Sequence, residues 1–197
     1  MARRFHPASE AEVRLVLQGI TDLMSRTDGG PAEFAGHDPA AISVEYPHLV
    51  YDLSALEVLL GHSRAGAQLS STRYLVLDGS ESLAAVEVRT RQPDGSPFIA
   101  NVNFGPFAVR FIDAVNDSSE VSGEGINFEV TLLRCSAIGV TAIWWQSSDP
   151  TLDRVRVIPP APVGVDTATD YRFDTYMKLL QPLARNVINS TDATNGA

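Results

Sequence analysis

The chain has 197 residues, 44% of them hydrophobic and 20% charged, which suits an ordinary globular fold with enough chain to bury a core. A formal net charge of −9 argues against nucleic-acid binding, because phosphate contacts need clustered Lys and Arg and the only dense basic pair is Arg3-Arg4. One cysteine, Cys135, excludes an intramolecular disulfide and a thiolate zinc site, and favours a reducing compartment.

Two arginines near the start are followed by Glu10 and Glu12 rather than an apolar run, so no export signal is expected. No stretch approaches the ~20 apolar residues of a spanning helix. The expectation is a cytoplasmic protein of bacterial type that does not enter a membrane.

The spacing predicts a first helix over 10–26, with Ser9 and Glu12 as a capping box and Val13, Val16, Leu17, Ile20, Leu23 and Met24 as its apolar stripe. Residues 27–41, rich in Gly, Pro, Ala and Asp, read as a loop. Residues 42–51 fit either an edge strand or the entry to a helix. A second helix is expected over 54–64, capped by Ser54 and Glu57, with Leu56, Leu59 and Leu60 facing inward.

From residue 73 the apolar period drops to two. Strands are expected at Tyr74–Leu77, Leu83–Arg91, Phe98–Phe104, Phe107–Val115, Ile126–Leu133, Ala137–Gln146 and Arg154–Ile158. Turn signals separate them: Asp78-Gly79, Pro93-Asp94-Gly95, Gly105-Pro106 and Asp149-Pro150. Strands joined so briefly must run antiparallel. A last helix is expected over 170–188, with Pro182 as a kink or break. The reading is a single α+β domain over 1–197, with 1–8 and 189–197 flexible. Its antiparallel meander of six or seven strands is packed on one face by N-terminal and C-terminal helices.

Alternation gives these strands one greasy and one mixed polar face. If the sheet curls, the polar face lines a pocket and Arg89, Asn101, Arg110 and Glu129 become its contacts. The pair Trp144-Trp145 puts its indoles on opposite faces, so one can anchor a partner or ligand. These six are the candidate contact residues.

Catalytic signals are thin. His6, His37, His48 and His62 form no zinc-site spacing, and His37-Asp38 is a conceivable general base in a loop. Cys135, between apolar strands, reads as a buried hydrophobe. Ser122-Gly123-Glu124-Gly125 lacks the residues of a phosphate loop, and Asp166, Asp170 and Asp174 would make a cation row only if all three were helical. No cofactor and no metal are expected. The leading reading is a non-enzymatic interaction or assembly protein that binds another protein or itself. The alternative is a small-molecule-binding protein or enzyme with a pocket in a curved antiparallel sheet.

Overall fold

The computed structural model describes residues 3–26, 30–61, 64–91, 93–117 and 127–195, the side chains of 191–195 excepted. His62, the segment around Ser122-Gly123-Glu124-Gly125 and the expected strand start at Ile126 lie outside the described residues. Among those residues the chain is α+β, with four α-helices and nine strands. No described helix is long and apolar enough to cross a membrane. The fold divides into two compact units.

One unit comprises Phe5–Leu49 and Ser71–Ile112. It contains α1 (Glu10–Met24), most of β2 (Ile42–Asp52) and of β3 (Gln68–Asp78), all of β4 (Glu81–Thr90) and β5 (Pro97–Asn103), and the first half of α3 (Phe107–Asp117). Strands β3, β4 and β5 pair antiparallel, as their short turns require. The β4–β5 turn follows its sequence signal: Asp94 accepts from the Ser96 backbone and hydroxyl, and Gly95 takes φ 73°. Val16 and Ile20 of α1 are buried against Tyr74, Val76, Val86 and Val88 on one face of this sheet.

The expected Ser9 side-chain cap of α1 is absent. Glu12 accepts from the Tyr74 hydroxyl instead, and burial with that carboxylate beside it raises the phenol's pKa.

The other unit comprises Met1–Arg4, Val50–Ser70 and Asp113–Ala197. It holds β1 (Arg3–Arg4), α2 (Ala55–Leu60), β6 (Phe128–Cys135), β7 (Val140–Ser147), β8 (Arg154–Val157), β9 (Tyr171–Arg172) and α4 (Phe173–Asn195). Strands β6 to β9 pair antiparallel in order, while β1 and the end of β2 both pair with β6 in parallel. Its core gathers Leu53, Val58, Leu133, Trp144 and Val155 with Phe173, Tyr176, Met177 and Leu180 of α4.

The pure antiparallel meander is therefore corrected to a mixed β arrangement. Antiparallel pairing holds wherever a short turn joins neighbours. The parallel pairs involve β1 and β2, which reach β6 only after long stretches of chain, and such a return permits parallel pairing. The second correction is the expected strand Phe107–Val115, which is α3. The Arg110 N–H bonds the Pro106 carbonyl to open the helix, and Ala108, Phe111 and Val115 are buried at helical spacing while Val109 is exposed. Third, α4 starts only at Phe173, runs through Pro182 and passes the expected end at 188 to reach Asn195.

Candidate functional site

Helix α2 presents the clearest candidate surface. Ser54 caps it by accepting from the Glu57 N–H at 3.1 Å, and Gly61 ends it at φ 67°, with its N–H on the last-turn carbonyls. The helix is shorter than expected and rotated from the expected inner face. Ala55 and Val58 are buried and Leu59 is packed against the core. Leu56 and Leu60 point outward, 55% and 56% exposed. Their spacing of four puts them on one face, so two large aliphatic side chains form a stripe in water. Gly61, immediately after Leu60, also lines a groove of about 180 Å³ whose other wall is Asp174, Met177, Lys178 and Gln181 of α4. Asp174 and Lys178 stand one turn apart with opposite charge.

In the other unit a polar cluster is buried. His48 on β2 is fully buried, and its ring stacks on Phe111 of α3 at 4.2 Å and 15°. Its Nδ1 lies 2.7 Å from the Tyr46 carbonyl, which can only accept, so Nδ1 carries the proton and Nε2 the lone pair. Nε2 has no hydrogen-bond partner. Burial pushes the imidazole pKa from 6.5 down to about 3, with the Arg73 guanidinium acting in the same direction and Glu87 opposing. Arg73 and Glu87, both buried, form an ion pair. Ser71 adds its hydroxyl to Glu87 at 3.4 Å, and the Phe107 ring lies 4.5 Å from the guanidinium. Tyr46, whose carbonyl holds His48, takes φ 51°, an uncommon conformation for a bulky residue, with its ring edge-on to Phe5 at 5.1 Å.

The sequence-derived contact residues divide between the two units. Arg89 on β4 and Asn101 on β5 are exposed strand residues. Arg110 is exposed on α3 rather than on a strand. Glu129, half-buried on β6, belongs to the other unit, opposite Gln146 and Arg4 in register. Neither indole of the Trp pair presents surface: Trp144 is 1% and Trp145 0% exposed.

Trp144 is instead tied into a buried network. Its Nε1 donates to Asp153 at 2.9 Å, and the same carboxylate accepts from the Ser147 N–H at 2.8 Å. Arg64 spans this region, donating to the Ser147 carbonyl and to Gln146 Oε1, with its guanidinium 5.5 Å from the Trp144 ring. Burial raises the Asp153 pKa against these favourable contacts.

The remaining sequence signals resolve separately. His37 meets Asp78 at 2.7 Å, not its neighbour Asp38, whose carboxylate caps Ala40. Asp170 grips Arg156 through two bonds of 2.6 and 2.8 Å, Asp166 accepts from Thr169 and Ala168, and Asp174 stands alone of the three on α4, so the acidic row does not form. Cys135 is buried, and burial raises its thiol pKa.

Comparison with family models, curated proteins and solved structures finds no match for this chain.

Proposed function

We propose that this is a non-enzymatic assembly protein that self-associates through the outer face of α2. The observation that carries this reading is the exposed pair Leu56 and Leu60, set at helical spacing on a helix whose inner face is already filled. Two large aliphatic side chains left in water side by side mark a candidate surface for another molecule to cover.

A second copy fits this surface. A two-fold axis lets one stripe meet itself, and it also sets unlike charges opposite when a surface carries one of each sign. Asp174 and Lys178 beside the groove supply that pair. Asp174 and Lys178 offset one another's charge, so this pair adds nothing to the repulsion between copies of a chain with net charge −9.

The test is light scattering on purified protein, wild type against Leu60→Glu. The expected result is a dimeric mass for the wild type and a monomeric mass for the variant. A wild type that stays monomeric at high micromolar concentration refutes the reading.

A further inference from the structure

The geometry points to His48 as an acid-operated latch on the first turns of α3: when the imidazole takes a second proton, residues Phe107–Ile112 lift off the sheet face and admit water. This concerns the unit built from Phe5–Leu49 and Ser71–Ile112 and does not depend on the α2 surface.

The argument starts from the state of the ring. Nδ1–H is committed to the Tyr46 carbonyl, so an added proton must go to Nε2. Nε2 is buried and has no acceptor. The charged groups that act on the ring are Arg73 on β3, which repels a cation, and Glu87 on β4, which is engaged by Arg73 and Ser71. On α3 the group in contact is the uncharged Phe111 ring, while Arg110 of the same helix is exposed. An imidazolium in this place therefore needs water, because a buried charge without compensation is strongly disfavoured.

The cover that yields is set by how each neighbour is held. Strands β3 and β4 are fixed to each other by a long antiparallel ladder. The start of α3 is held over the cluster by aromatic contacts, Phe111 on His48 and Phe107 on Arg73. A stack of rings opens at less cost than a strand ladder, so local opening precedes loss of the unit.

Hydrogen exchange on the full chain between pH 7 and pH 5, corrected for intrinsic rate, tests the latch. With one proton gained on opening, the opening constant of Phe107–Ile112 rises about 25-fold between these pH values in the wild type. Peptides of β3 and β4 stay more protected than Phe107–Ile112 at both pH values, because they exchange only when the whole unit unfolds. In His48→Phe the rise disappears, and in His48→Gln, a polar neutral replacement for use if the phenylalanine variant does not fold, it disappears as well. The proposal is overturned if the wild type shows no extra opening at pH 5, if both variants show the same rise, or if β3 and β4 open with the same constant as Phe107–Ile112, which would mean that the whole unit unfolds at once.

Discussion

Replacing Glu87 by Gln leaves the Arg73 guanidinium inside the protein without its carboxylate. The two side chains are 3% and 6% exposed, so water cannot take over the lost charge contact. Breaking a buried pair from one side typically costs about 3–5 kcal/mol, against a total stability on the order of 5–15 kcal/mol for a domain. Removing both partners is different, because the desolvation that the pair suffers disappears with it. The double change Arg73→Met with Glu87→Leu is expected within about 1 kcal/mol of wild type. Urea unfolding followed by far-ultraviolet circular dichroism at neutral pH gives all three free energies. The reasoning fails if Glu87→Gln costs under about 1 kcal/mol, or if the double variant is no more stable than the single one.

Three further outcomes follow from the same structure. The His48 pKa is 6.5 when free and about 3 in the fold, so the unfolded chain binds the extra proton between these values. Stability must fall as pH drops through that window, by about 1.6 kcal/mol between pH 6.5 and 5, and urea midpoints of His48→Phe should lack this component. Trp144→Phe removes the donor to Asp153 and should cost about 3 kcal/mol, counting the bond to a buried carboxylate and lost packing; Trp145→Phe, whose Nε1 has no hydrogen-bond partner, should cost less. Gly61→Ala forces a side chain into φ 67° with its Cβ 3.0 Å from Gln181 Nε2, and thermal unfolding should show a loss of about 1 kcal/mol.

Much of the secondary structure was legible because turn chemistry and period-two patterning act locally. Pro93-Asp94-Gly95 specified its hairpin, and Ser54 specified the start of α2. The errors came where two periods coexist. Phe107, Val109 and Phe111 alternate like a strand, yet Ala108, Phe111 and Val115 also repeat like a helix, and tertiary packing chose the second. That one change covers part of the mixed polar face: Phe107 lies over Arg73, the partner of Glu87, and Phe111 over His48, while Arg89 and Asn101 stay exposed.

The partners of charged groups were hidden for a related reason. His37 pairs with Asp78, and Asp170 with Arg156, across sequence distances that no local spacing encodes. The α2 stripe did carry a signal: with Ala55, Val58 and Leu59 also apolar, a short helix has too many greasy positions for one inner face. The indoles of Trp144 and Trp145 were read as contacts because alternation alone says nothing of what covers the second face.

The most direct measurement exploits the single native cysteine, Cys135, which is buried. Leu60→Cys places a thiol in the proposed contact, and Val163→Cys places one at a position 99% exposed as a control. Under mild oxidation at low protein concentration, Leu60→Cys should convert to a disulfide-linked dimer while Val163→Cys stays largely monomeric. Equal crosslinking of the two variants, or none at Leu60→Cys, would contradict self-association through α2.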